Sequence, residues 1–452
     1  MLAKGAGRIS HAEGTEQTHV LAERISDSVV KDTAARQAPL AGRSADRRIL
    51  TLSPYGAKNP TSGGTKRIHY LNRGYARAGW EVLQISSTSI GAGIRQTIRS
   101  GMIPLLGPRK SLVAPGYREE PYFNPFVILG NRLLRRQDGA QVAASMLPRL
   151  LRPSPRMIRE IAAHKVILFE HPQMFDMAAP FLRDDHIVIL NAHNIETRLY
   201  PRTPGQSELA AAAAEALYDV ERRVMRRADI VLVCSEDDRA IAITDYGVDP
   251  ARVRVAPNGV DCESVGPASA TERDAAKRAL GLSGPAAIFV GSRWGPNLEA
   301  AREIVRLAPL SPQVTWLIVG TVGAELRGPL PGNVVVTGPV DRIEDWYGAA
   351  DVALNPMTSG SGSNIKMFEY LAAGLPIVTT AFGARGVEDE SGLAVIAAEI
   401  DETPAAVAAL LTCPQLPARR LAARLLAEAK YDWSAIAADV IDTLEATLKM
   451  RD

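Results

Sequence analysis

The sequence predicts an α/β protein of two doubly wound, Rossmann-like domains, on three observations. Short β-rich runs alternate with longer helical patterns from about residue 47 to the end. Several of these runs are continuously apolar, such as IVLVCS and AIFVGS, which suits strands buried on both faces of a parallel sheet. The alternation occurs twice, divided by the polar stretch CESVGPASATERD. At 452 residues the chain is too long for one ordinary core, so two domains are expected from length as well.

In the first half the expected strands are Arg48–Ser53, Glu81–Ser86, Lys165–Glu170, His186–Asn191, Asp229–Ser235 and Arg252–Pro257. In the second half they are Ala286–Gly291, Val314–Gly320, Asn333–Gly338, Asp351–Pro356 and Pro376–Thr380. Residues 1–45 mix charged and small polar residues without an apolar stretch and are expected to be a disordered tail. An N-terminal domain is expected over 46–261 and a C-terminal domain over 262–430. A last helix, 431–452, is expected to cross back to the first domain.

Residues 91–157 break the alternation. They hold eleven basic residues against three acidic ones, with apolar residues interleaved. Such a stretch reads as a solvated helical subdomain over the first sheet. Peripheral contact with an anionic membrane is its second reading.

Composition narrows the function. Apolar residues make up 46% and charged residues 23%, and the formal net charge is +2, too small to argue for nucleic acid. Three widely spaced cysteines give neither a disulfide framework nor zinc spacing, and fit a reducing, cytoplasmic setting. No run of 18 apolar residues suggests a membrane span. No acidic cluster at a strand end calls for a metal, and no cofactor is implied.

Ligands of doubly wound sheets sit beyond the carboxyl ends of the strands. One strand end runs LNPMTSGSGSNIKMFEYLAAGLP. Ser363 or Asn364 is positioned to cap a helix, Ile365, Phe368 and Leu371–Ala372 form its apolar stripe, and Gly374 ends it. A helix start behind a Gly/Ser loop favours an anion, whereas a lysine in the first turn opposes the helix dipole unless an anion is bound there. Lys366 and Glu369 lie three residues apart and point to similar sides. Together they suit a nucleotide diphosphate: phosphates at the helix tip, and a ribose diol on Glu369. A surface Lys–Glu pair is the plain alternative. Elsewhere, His193 and His171 end strands, Glu196, Asp237 and Asp238 read as helix caps, and Trp294 and Trp346 as packing residues.

The ordered set of segments resembles a known family. GSGSNIKMFEYLAAGLPIVTTAFGARGVE is similar to the donor-nucleotide signature of retaining GT-B glycosyltransferases of the group 1, family four type. VRVAPNGVD, VLVCSEDDRA, VGSRWGPNLEAAREI and SGGTKRIHYLNRGYARAGWEV resemble further segments of that family in the same order. The resemblance implies two Rossmann-like domains facing each other across a cleft, and a nucleotide-sugar donor held mainly by the second. Glu369 then binds the ribose, and Lys366 with the N–H groups of Gly362, Ser363 and Asn364 binds phosphate, beside Ser361 and Ile365. Arg293 contacts the diphosphate, and Gly63 and Gly64 form the glycine loop of the first domain. His193 faces the donor sugar and its phosphate, and Pro257–Asn258–Gly259 is the junction. The implied activity is metal-independent transfer, with retention, to an acceptor hydroxyl on a glycan, a lipid or a small molecule. Ser361 stands where the family has a glutamate, and Glu299 where it has a lysine. A catalytically silent sugar-nucleotide-binding protein is the alternative that Ser361 suggests, and a sugar-nucleotide epimerase, which would need an acid/base pair near the sugar, is a third.

Overall fold

The computed structural model describes residues 47–60, 62–87, 111–122, 153–199, 207–360 and 365–451. The expected tail, most of 91–157 and the loop residues Ser361, Gly362, Ser363 and Asn364 lie outside these. The chain divides into two units. One holds residues 47–258 with 433–451, the other 259–360 with 365–432.

The N-terminal unit is built on eight strands: β1 (Arg48–Ser53), β2 (Glu81–Ser87), β3 (Ser111–Ala114), β4 (Tyr117–Tyr122), β5 (Val166–Phe169), β6 (Ile187–Asn191), β7 (Ile230–Val233) and β8 (Val253–Val255). Their order across the sheet is β3-β4-β2-β1-β5-β6-β7-β8. All neighbours are parallel except β3 and β4. Leu50, Leu52, Ile167, Phe169, Ile189 and Leu232 are fully buried. That explains the continuous apolar runs, because helices cover both faces of a parallel sheet.

The C-terminal unit has six strands: β9 (Ala286–Val290), β10 (Thr315–Val319), β11 (Val334–Gly338), β12 (Val352–Asn355), β13 (Ile377–Thr379) and β14 (Val395–Ala397). They run in the order β11-β10-β9-β12-β13-β14, all parallel. The strand order reverses between β1 and β5 in one sheet and between β9 and β12 in the other. These are the switch points at which such sheets bind ligands.

Two expectations are corrected. The described part of 91–157 is not wholly helical, because 111–122 forms the β3–β4 hairpin on the sheet edge. The charged strand YREEPY is stable there because its carboxylates are partnered. Glu119 accepts from Ser86 Oγ at 2.8 Å and from the Ala57 N–H at 3.2 Å, and Glu120 pairs with Arg156 at 2.9 Å. The three-residue strand β14 is also an addition; VIA is too short to stand out in sequence.

Four helices position the functional residues: α1 (Gly63–Arg77), α2 (Gly295–Leu307), α3 (Ile365–Ala372) and α4 (Trp433–Arg451). The last of these packs on α1 within the N-terminal unit. Gly74 allows the close approach, since a Cβ there would stand 2.3 Å from Ala437 Cβ. Tyr70 stacks on Trp433 with centroids 6.1 Å apart.

Candidate functional site

In the C-terminal unit, the site is built where β9 and β12 end. Helix α3 is anchored on nearly every side: Met367, Phe368, Tyr370, Leu371 and Ala372 are fully buried. Gly374 closes the helix at φ 65°, a left-handed conformation that glycine adopts without strain. Tyr370 Oη accepts the Val290 N–H at 2.8 Å and ties α3 to the end of β9. Only Ile365, Lys366 and Glu369 of this helix are partly accessible.

Lys366 Nζ donates to Asn297 Oδ1 at 2.7 Å and lies 4.2 Å from the Phe289 ring centroid. Asn297, in the first turn of α2, donates in turn to the carbonyl and hydroxyl of Ser292 at 3.1 and 3.2 Å. A buried amide thus fixes the ammonium against the loop that follows β9. Burial removes water from the ammonium and lowers its pKa from the usual 10.5 to about 7, although Glu369 pulls it upward. Among the described residues no carboxylate bonds this ammonium directly, and an arriving anion would restore its charge. Glu369 accepts from Tyr347 Oη at 2.7 Å, which pins one carboxylate oxygen.

Arg293 follows β9 as expected, and its N–H donates to Thr321 Oγ1 at 2.9 Å. Its guanidinium, largely exposed, pairs with Glu325 rather than pointing toward Lys366. Arg293, Trp294, Leu298, Val322 and Glu325 line a pocket of about 510 Å³. Trp294 is 41% exposed, so only part of its indole packs. Gly360, at φ 128°, fits against it: a Cβ there would lie 2.7 Å from the indole. Trp346 is partly buried against the core. Glu299, in the place of the family's lysine, accepts from Ser359 Oγ at 2.6 Å. Backbone approach is close where Gly291 and Gly320 meet, since a Cβ on Gly320 would lie 2.5 Å from the Gly291 carbonyl oxygen.

In the N-terminal unit, Ser62 caps α1. Its hydroxyl accepts the Thr65 N–H and the Thr65 hydroxyl accepts the Ser62 N–H. The amides of Gly63 and Gly64 remain in the first turn, where no helix supplies an acceptor. A Cβ on Gly64 would stand 2.4 Å from Tyr55 Oη and 3.4 Å from His193 Nδ1. The glycine loop therefore lies directly against two groups at the strand ends.

Behind it is a buried polar network that the sequence did not reveal. Arg67 is fully buried. It donates to Asn191 Oδ1 at 2.9 and 2.7 Å, to the Ala256 carbonyl at 2.7 Å and to the Pro257 carbonyl at 3.0 Å. Asn191 passes the contact on, donating to Glu170 Oε2 at 2.8 Å. The same oxygen meets His193 Nε2 at 3.0 Å. His171 bonds Glu196 through Nδ1 at 2.9 Å and Tyr55 Oη through Nε2 at 2.7 Å, and its ring lies 4.2 Å from that of His193. Glu196 thus holds a histidine rather than capping a helix. The amides of Glu196 and Thr197 are capped by Glu221. Ser235, not Asp237 or Asp238, caps the helix after β7. The signal for Arg67 was present: it occupies the buried stripe of α1 with Ile68, Leu71 and Tyr75.

Ser361, Gly362, Ser363 and Asn364 lie outside the described residues. Among the described residues no group of three His, Cys, Asp or Glu side chains is placed to hold a metal, and no helix is long and apolar enough to cross a membrane. A second pocket, about 740 Å³, opens at the amino ends of β5 and β6 between His164, Arg183 and Arg451, far along the strands from both histidines.

Known proteins resemble both halves. Residues 62–259 match a family model described as a glycosyl transferase 4-like domain, and residues 284–413 one described as glycosyl transferases group 1. The D-inositol 3-phosphate glycosyltransferase 2 of Catenulispora acidiphila is 30% identical over 254 residues, which are 51% of this chain and 58% of that protein. The D-inositol 3-phosphate glycosyltransferase of Kribbella flavida is 31% identical over 219 residues, 43% of this chain and 51% of its own length. The chain thus spans little more than half the length of these relatives. Among solved structures, sucrose-phosphate synthase from Thermosynechococcus elongatus superposes with a TM-score of 0.62 at 17% identity, over 89% of this chain and 100% of that one. HepE from Anabaena in complex with UDP gives 0.60 at 15% identity, over 88% and 100%. The shared fold is GT-B: two parallel-sheet α/β domains.

Proposed function

Because the chain belongs to the group 1 glycosyltransferases, we propose that it moves a sugar from a nucleotide-diphosphate sugar to an acceptor hydroxyl, with retention and without a metal ion. The observation that carries this reading is the ammonium of Lys366. It stands at the start of α3, held among the described residues by the neutral Asn297 and the Phe289 ring with Glu369 acting on it from nearby, and has lost part of its charge to desolvation. A diphosphate at that position supplies the missing counter-charge.

In this reading Lys366 and the amides of the first turn of α3 bind the phosphates, and Glu369, steadied by Tyr347, accepts the ribose hydroxyls. As the bond from the anomeric carbon to phosphate breaks, negative charge gathers on the leaving diphosphate. Fixed donors already in place stabilise it without reorganising, which is how oriented groups lower such barriers. Arg293 joins them by leaving Glu325. Surface ion pairs of this kind are worth only about 0–1 kcal/mol, so the swing is cheap. The leaving phosphate takes the proton of the incoming hydroxyl on the same face, and configuration is kept. In the N-terminal unit His193 serves the sugar.

The solved HepE complexes contain UDP, UDP with glucose, and UDP-glucose, which makes the uridine nucleotide the first donor to test. Purified protein is incubated with UDP-, GDP-, ADP- and dTDP-sugars and an acceptor panel that includes inositol phosphate. Release of nucleoside diphosphate with formation of an α-linked product, unchanged in EDTA, is the expected result. Binding without release across the panel would instead identify a sugar-nucleotide-binding protein.

A further inference from the structure

The pair formed by Glu170 and His193 decides what kind of group His193 can meet. Glu170 is fully buried, and its Oε2 receives the Asn191 amide at 2.8 Å and faces His193 Nε2 at 3.0 Å. His193 is 6% exposed, and its Nδ1 has no hydrogen-bond partner. That nitrogen is buried beneath Gly64, where an added Cβ would stand 3.4 Å from it.

We infer that Glu170 is a positioning residue for His193: its carboxylate holds the imidazole proton on Nε2 and leaves Nδ1 as a hydrogen-bond acceptor beneath the glycine loop. The partner of Nδ1 must then bring a hydrogen. A sugar hydroxyl does so, and an ionised phosphate oxygen does not. The sugar assignment rests on the proposed glycosyl transfer, whereas the proton's position does not.

The pair is also sensitive to pH. Burial raises the Glu170 pKa to about 7, with Arg67 and His171 opposing, and burial holds His193 well below its ordinary value. The groups facing the pair are Arg67 and Tyr75 from α1, Tyr117 from β4, Tyr55 after β1, His171 after β5 with its partner Glu196, and Asn191 at the end of β6. Cys234 donates to the His193 backbone carbonyl at 3.2 Å. A proton taken up on the bond between Glu170 Oε2 and Nε2 puts the added hydrogen on Nδ1, whereas one taken up on Oε1, which has no hydrogen-bond partner, leaves Nδ1 bare. The first course, which the inference takes, gives the same result whether the state is drawn as carboxylic acid with imidazole or as carboxylate with imidazolium. The acceptor becomes a donor as pH falls through about 7.

Nitrogen-15 spectra of histidine-labelled protein, with His193 assigned by its loss in H193N, test this without any substrate. In the unsubstituted protein at pH 8.5 the expected state is Nε2 protonated and Nδ1 bare, with Nδ1 gaining its proton by pH 6. Glu170→Gln keeps an oxygen for Nε2–H and Asn191, so Nδ1 should stay bare at both pH values. Glu170→Ala removes the acceptor and should release the Nε2 preference. A protonated Nδ1 at pH 8.5, or a Glu170→Gln protein that titrates like the original, would overturn the inference. Thermal unfolding of each variant shows that it is folded before its spectrum is read. If transfer is detected, the donor KM should rise below pH 7 in the original protein and stay flat in Glu170→Gln. A rise of equal size in both proteins also overturns it, while leaving the transferase reading intact.

Discussion

The two switch points solve the same problem in opposite ways. At the end of β9, the C-terminal unit leaves one cation without a directly bonded carboxylate among the described residues: Lys366 rests on a neutral amide and a ring, while Arg293 lies exposed in an ion pair with Glu325. At the ends of β1, β5 and β6, the N-terminal unit compensates its charge inside the protein, through Arg67, Asn191, Glu170 and two histidines. The first arrangement stores an electrostatic cost that a ligand relieves. The second is satisfied except at His193 Nδ1 and Glu170 Oε1, and fixes geometry. Substitutions should therefore cost stability in the N-terminal network and ligand affinity in the C-terminal one.

The largest effect should separate the two arginines. Arg67→Met strands Asn191 Oδ1 and the Ala256 and Pro257 carbonyls, and should lower unfolding free energy by roughly 3 kcal/mol or more. Arg293→Ala, at an exposed position, should stay within about 0.5 kcal/mol. Urea unfolding monitored by far-ultraviolet circular dichroism measures both. Equal losses would erase the distinction between the two ends.

Next is Lys366. Lys366→Ala should reduce donor turnover at least about tenfold, equivalent to roughly 1.4 kcal/mol in the barrier. Without nucleotide, the sign for stability is opposite. The folded protein holds this lysine at about pKa 7 whereas the unfolded chain protonates it below about 10.5. Between those values the unfolded state binds more protons, so this group makes stability rise with pH. Lys366→Met should flatten that slope and raise the melting temperature near pH 7.5, measured by calorimetry from pH 7 to 10. A smaller effect belongs to Tyr347→Phe, which frees Glu369 from its phenol and should cost about 1 kcal/mol of stability. It should raise the donor KM modestly, and an unchanged KM would separate Glu369 from the ribose.

The contrast also explains what the sequence could reveal. The strands of both sheets other than β3, β4 and β14 were legible because their burial on both faces writes apolar runs. Helix α3 was legible because its loop, stripe and terminal glycine are contiguous. Lys366 and Glu369 stood out as the polar exceptions on it. Asn297 did not, because an amide after Gly-Pro at a helix start looks like ordinary capping. Arg67, Glu170 and Asn191 are separated by up to 124 positions and meet only when α1, β5 and β6 are assembled. Nor was the β3–β4 hairpin legible: YREEPY carries charges that only Ser86, Ala57 and Arg156 make tolerable in a strand.

Calorimetric titration of UDP at pH 8 into the unsubstituted protein and into Lys366→Met, in buffers of different ionisation enthalpy, tests the central claim most directly. Binding of a diphosphate beside Lys366 should draw close to one proton from the buffer. In Lys366→Met the uptake should vanish and affinity should fall at least tenfold. Equal affinity with equal proton uptake in the two proteins would contradict the account.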